Sequence, residues 1–287
     1  MALPPGAPAL AIGPRVEFAA VGPMARSAGD LALALDVLAG PDEVQSTAYR
    51  LTLPQARHTK LADFRVLVLD THPLAPTSHE VRGALHRFAD HLTRHGCKLA
   101  TSDPRLPDLT LLATTFARLL MSFFGADLPE SEYRGLQHAA AQLPPSDLGA
   151  DAAQLRGLVL SHREWVQADR VRAGLSNQWR QLFREWDVVL CPVWATPAFA
   201  HNHSEMQGRR IRVDGVEVAY AVQSLWITLA SLAGLPATAM PIGLGESGLP
   251  IGAQIIGPYL EDRTTLAFAD VAEREFGGFM APPAFAD

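Results

Sequence analysis

The chain has 287 residues, 48% hydrophobic and 19% charged, with a formal net charge of -6; it can bury a large core in one domain, and it presents no basic field to a phosphate backbone, which excludes nucleic acid as an expected partner. No apolar run reaches the length of a membrane span, and the opening MALPPGAPALAIGPR lacks the cationic start of a signal peptide, so a soluble, cytoplasmic protein is expected. The two cysteines, Cys97 and Cys191, lie far apart without CxxC spacing, which argues against a disulfide framework or a zinc site and for two reduced core thiols.

Residues 1–21 are rich in Pro, Gly and Ala and predict an irregular arm. Ser27 with Asp30 forms a capping-box-like S-x-x-D, and the helix it opens stops at Gly40 before Pro41. Arg26, just outside that cap, reads as a surface charge or a structural ion pair, with a substrate contact as the alternative. After a polar connection over 41–63, FRVLVLD predicts a strand, Ser78 to His95 a helix with Val81, Leu85, Phe88, Ala89 and Leu92 on one face, and CKLA a second strand. That order favours a parallel pair with a right-handed crossover. His91 and His95 have the i, i+4 spacing of a helical metal site, but no HExxH accompanies them, and no metal is expected.

Leu106 to Gly125 is apolar on most sides and predicts a buried helix or a pocket wall carrying Phe116 and Met121. Residues Ala150 to Trp186 read as one long amphipathic helix leading into DVVLCPV, a buried strand. The loop after it, WATPAF, follows a strand's carboxyl end, where ligands of open α/β sheets collect, and makes Trp194 and Thr196 rim candidates. His201 and His203 fall in a solvated loop. RIRV and VEVAY flank Asp214-Gly215, the dipeptide of a tight type I′ hairpin. A helix from Tyr220 is expected to run to Ala233 and end at Gly234. ATAMPIG and IGAQIIG then predict neighbouring strands at the centre of a sheet, buried on both faces and joined through GLGESGLP, with a helix from Thr264 to Phe276 covering one face. Gly243, Gly245 and Gly248 spell GxGxxG, yet strand chemistry follows them where a dinucleotide site needs a helix, so they read as turn residues and no cofactor is implied.

The run SLAGLPATAMPIG, a Gly-rich turn and LPIGAQIIGPYLEDRTTLAFA together resemble the C-terminal segment of the amidase signature family. VGPMARSAGDLALALDVLAGPDE is similar to the segment that follows that family's serine- and glycine-rich signature, and DVVLCPVWATPAF resembles a family strand and loop. The resemblance implies a mixed α/β fold, a largely buried sheet flanked by helices in a single domain over 1–287, with the N-terminal part of the family fold missing. It also implies hydrolysis of small-molecule carboxamides in the complete enzyme. Family chemistry uses a serine nucleophile, a second serine in a cis peptide and a lysine base. Here the only lysines are Lys60 and Lys98, the thirteen serines stand singly, and no GxSxG occurs. No catalytic residue is therefore carried over, and the chain alone is expected to be inactive. Trp226, Trp194, Phe116 and Met121 are the candidate lining of the acyl pocket. Lost sheet neighbours should expose edges and apolar surface, which predicts a homo-oligomer. The alternative is a non-catalytic scaffold or binding protein derived from an amidase.

Overall fold

RVLV and VVLCP carry branched apolar side chains at consecutive positions, a pattern that satisfies itself only with both faces covered. In the computed structural model, which describes residues 18, 20–74, 76–147, 149–204, 208–282 and 285, they are β1 (Arg65–Val68) and β3 (Val188–Pro192), adjacent and parallel. With β2 (Lys98–Ala100), β6 (Ala237–Leu244) and β7 (Pro250–Ile256) they form a five-stranded sheet of order β2-β1-β3-β7-β6. The β1–β2 pair is parallel and joined through α2 (His79–Arg94), as the strand-helix-strand order requires. The last two strands run antiparallel, making the sheet mixed. A separate hairpin, β4 (Arg210–Val213) and β5 (Val216–Ala219), turns at Asp214 and Gly215 with φ of 50° and 82°, the two left-handed residues of a type I′ turn.

Alternation along β1 divides the core. Val66 and Val68 join Leu85 and Phe88 of α2 and Phe268 of α8 (Asp262–Phe276) on one face. Leu67 points the other way, with Val189, Cys191 and Ile256, against Leu112, Phe116 and Leu119 of α3 (Leu109–Gly125) and Leu175 and Trp179 of α6 (His162–Leu182). Cys97 and Cys191 are both buried free thiols. Ser27 caps α1 (Ala28–Leu38) by accepting from Asp30 N–H, and Arg26 lies over the Phe279 ring, 5.2 Å from its centroid.

Four expectations are corrected. The single helix from Ala150 to Trp186 is two, α5 (Ala150–Leu158) and α6, because Ser161 and Glu164 form a reciprocal capping box that starts a new helix. The helix expected from Tyr220 is a 3-10 turn over Tyr220–Ser224 followed by the single turn α7 (Thr228–Ser231). The strands β6 and β7 are not the sheet centre. They close one side of it, and β6 is an edge strand whose Ala237, Ala239 and Pro241 are exposed while Thr238, Met240 and Ile242 are buried. Proline inside a strand belongs at an edge because it cannot donate to a further neighbour, and Pro241 obeys that rule. Finally, α4 (Glu130–Gln142), which has no buried residue, occupies a stretch where no helix was expected. Most of the predicted arm, residues 1–17, lies outside the described residues. Among the described residues no helix is long and apolar enough to cross a membrane.

Candidate functional site

Because β1 and β3 are parallel neighbours, their carboxyl ends open side by side, and the loops that leave them are stitched together there. Ser78 N–H, from the loop after β1, donates to Ala195 O at 2.8 Å. Ala195 N–H in turn donates to Gln223 Oε1 at 3.1 Å, and Gln223 Nε2 donates to Thr196 Oγ1 at 3.0 Å. Trp226 fills the space beneath. Its Nε1–H donates to Thr77 Oγ1 at 3.1 Å, and its carbonyl accepts from Gln254 Nε2 at 3.2 Å. Gln254 stands in the middle of β7 opposite Cys191, whose sulfur lies 3.3 Å from the same amide nitrogen. His72 stacks edge-on with Trp226, ring centroids 5.6 Å apart. Trp226, Gln223 and Ala195 are about 1% exposed, and His72 is 6% exposed. Such buried polar groups are tolerated where they find partners, and together these bonds lock three loops into one geometry.

The electrostatics are those of a neutral site. Burial pushes His72 down to about 4, so its imidazole is uncharged at neutral pH. Burial pushes the Cys191 thiol up to about 12, with the Gln254 amide working weakly in the other direction, so this sulfur is a packing group and not a thiolate nucleophile. The network offers fixed dipoles that can shape and orient a neutral ligand.

The structure brings some sequence-predicted residues together and separates others. Trp226 and Phe116 belong to one apolar cluster beneath the strand ends. Trp194 lies in the loop just past β3, 42% exposed, at the rim. Met121 lies elsewhere: its Cβ faces Gly157 of α5, at a crossing so close that a Cβ on Gly157 would meet it at 2.6 Å. Thr196 is half-buried and held by Gln223. His91 and His95 stack on each other at 4.1 Å, while the His201 and His203 rings lie 6.1 Å apart on an exposed loop. Gly243 lies near the end of β6, and Gly245 and Gly248 lie in the β6–β7 turn, where Gly245 N–H donates to Leu249 O at 2.8 Å and no helix opens. The residues missed by sequence reasoning are His72, Thr77, Gln223 and Gln254. One signal was available: a glutamine inside the apolar strand IGAQIIG must be hydrogen-bonded to be buried.

Comparison with known proteins agrees with this architecture. The amidase family model matches residues 10–266. The chain is 26% identical over 285 residues to a glutamyl-tRNA(Gln) amidotransferase subunit from Zymomonas mobilis, covering 91% of this chain and 55% of the relative. It is 28% identical over 261 residues to an indoleacetamide hydrolase of Bradyrhizobium japonicum, covering 90% and 52%. Among solved structures, a bacterial aryl acylamidase of the amidase signature family superposes with a TM-score of 0.65 at 19% identity, over 89% of this chain and 53% of that one. The glutamyl-tRNA(Gln) amidotransferase subunit from Thermotoga maritima gives 0.64 at 18% identity, over 88% and 52%. The chain thus spans about half the length of the curated relatives it matches.

Proposed function

The chain belongs to the amidase family, matched over residues 10–266, and on that premise we propose that it supplies the sheet and part of the acyl pocket of a hydrolase acting on the carbon–nitrogen bonds of carboxamides. The observation that carries this reading is the family match combined with the neutral, preorganised network at the ends of β1 and β3. Acyl transfer from an amide requires an activated nucleophile, a base within hydrogen-bond reach and donors for the oxyanion. None of the thirteen serines stands in a GGSS-like run, both lysines are exposed, and the Cys191 sulfur stays a thiol. The chain alone is therefore inactive, and its half-length match to the family relatives supports its being part of a larger catalytic unit. Trp226 and Phe116 form the inner wall of the pocket, and Trp194 its rim. Met121, packed on α5, contributes least. Relatives named for indoleacetamide and aryl acylamide chemistry support an aromatic substrate group against those rings.

The edge of β6 supports self-association. Its small residues Ala237, Ala239 and Pro241 are uncovered, and α1 exposes Leu33 and Val37 one turn apart. Sedimentation of the chain as a dimer or larger species is expected; a compact monomer at all concentrations overturns that part of the reading.

Activity is tested by incubating the purified chain with aryl and aliphatic amides and, separately, with a serine-reactive fluorophosphonate. Neither turnover nor labelling is expected. Stoichiometric labelling of one serine with turnover would show an active site within these 287 residues. The alternative, a non-catalytic scaffold or binding protein, is favoured by the same half-length match. It wins if the chain, supplied with the missing half of a homologous amidase, restores no hydrolysis.

A further inference from the structure

A cleft of about 430 Å3 lies beside the network, lined by residues 71–74, Pro76, Thr77, Arg82 and Asp214. Its floor is the loop after β1, one wall is the first turns of α2, and the turn of the β4–β5 hairpin closes the other side. The volume falls in the range of small-molecule sites.

Arg82 is the cation of this cleft. Its Nε is buried without an acceptor, and its guanidinium makes no hydrogen bond or ion pair among the described residues. The nearby carboxylate of Asp214 is already committed to α2. It accepts from His79 N–H at 2.9 Å and lies 2.7 Å from His79 Nδ1. An arginine half withdrawn from water with no acceptor is an unsatisfied planar fork, the geometry that pairs with a carboxylate through two parallel bonds.

A second donor in the same lining is unsatisfied. His72 Nδ1 accepts from Leu74 N–H at 3.2 Å, so the proton of the neutral ring sits on Nε2. That atom is buried with no partner among the described residues, on a residue that is only 6% exposed. Leaving such a donor unpaired is costly, and an acceptor on a ligand would recover that cost. Of the remaining lining, Pro73, Leu74 and Pro76 are apolar, and Thr71 and Thr77 add two hydroxyls.

We propose that this cleft binds a small monocarboxylate with an apolar body, its carboxylate paired to the Arg82 guanidinium and its second oxygen drawing the His72 imidazole toward the cleft as a neutral N–H donor. One arginine and one neutral donor match a single negative charge, whereas a phosphate dianion would leave charge unpaired. Binding of this kind is a property of the chain as it stands and does not rest on the amidase reading.

The test is a titration of the full chain, with the His72 imidazole 15N and 1H resonances as readout and phenylacetate, butyrate and inorganic phosphate as probes. Saturable shifts at His72 with both carboxylates are expected, together with a roughly tenfold or greater loss of affinity in Arg82→Gln, since one charge-assisted pair is worth at least that factor. Arg82→Lys, which keeps the charge and loses the fork, should fall between. Three results overturn the proposal: carboxylate saturation without movement of His72, unchanged affinity in folded Arg82→Gln, or phosphate binding as tightly as the carboxylates.

Discussion

At its amino end β3 is preceded by Asp187, a fully buried carboxylate between two arginines, whereas at its carboxyl end the chain runs into Ala195, Gln223 and Trp226, where every partner is neutral. Asp187 accepts from Arg65 N–H at 2.9 Å and from Arg65 Nη2 at 2.9 Å, and it pairs with Arg57 Nη1 at 3.2 Å. Arg57 also bridges to Glu261 at 2.6 Å, tying the start of β3 to the entry of α8. Burial works to raise the Asp187 carboxyl, but the hydrogen bonds from Arg65 and Arg57 outweigh it and hold the group below the ordinary carboxylate range. The difference teaches a division of labour. Charged pairs staple the end that does nothing but hold, because a buried charge stripped of its partner is costly and the geometry is therefore stiff. Neutral dipoles build the other end, and the charges of Arg82 and Asp214 stand beside it in the adjoining cleft.

Removing the staple should give the largest effect. Asp187→Ala leaves the Arg57 and Arg65 guanidinium groups without their shared acceptor, and a loss of about 3–5 kcal/mol of unfolding free energy in denaturant titration is expected; a loss under about 1 kcal/mol would place this cluster among weak surface pairs. Next comes the neutral end. Gln223→Leu keeps the volume but strands the buried Ala195 N–H, and about 1–3 kcal/mol should be lost, with local amide exchange at residues 193–196 rising more than exchange in β1. Trp226→Phe removes only the bond to Thr77 and part of the ring, for a loss of about 1 kcal/mol; it should leave the sheet's melting cooperative.

Acid also separates the two ends. His72 is held neutral in the folded state down to about 4, against 6.5 when unfolded. Between those values the unfolded chain binds a proton that the folded chain refuses, so the His72 contribution is fully present above about 6.5 and is lost as pH falls toward about 4. The Asp187 contribution, from a lowered carboxyl, persists through that window and is lost only below the ordinary value of 3.8. Stability measured against pH should therefore flatten between 6.5 and 4 in His72→Phe relative to the parent chain. An identical slope in both would show that His72 titrates normally.

Much of the fold was legible from local pattern. The β1 and β3 strands, the α2 and α8 faces, the Ser27 cap and the Asp214-Gly215 turn follow from periodicity and from residues with one conformational use. The errors came from local signals read without their competitors. Ser161 and Glu164 spelled a helix start inside an apparently continuous amphipathic run, and Pro241 marked an edge inside a run that looked like a core strand. The candidate site was less legible. Trp226 and Phe116 are legible only by size and position. His72, Thr77 and Gln223 carry no motif, and Thr77 and Trp226, which bond to each other, are 149 positions apart.

By itself the sequence determined most of the element types and the family, because these depend on residue identity and on spacings of a few residues. The tertiary structure alone decided that β6 is an edge, that Met121 serves a helix crossing while Phe116 and Trp226 share one buried cluster, and that Arg82 and His72 line one cleft without acceptors among the described residues. Those facts depend on which distant segments are packed together, and in a sheet of order β2-β1-β3-β7-β6 the partners of any one strand are set by burial of both faces at once, a condition that no short window of residues contains.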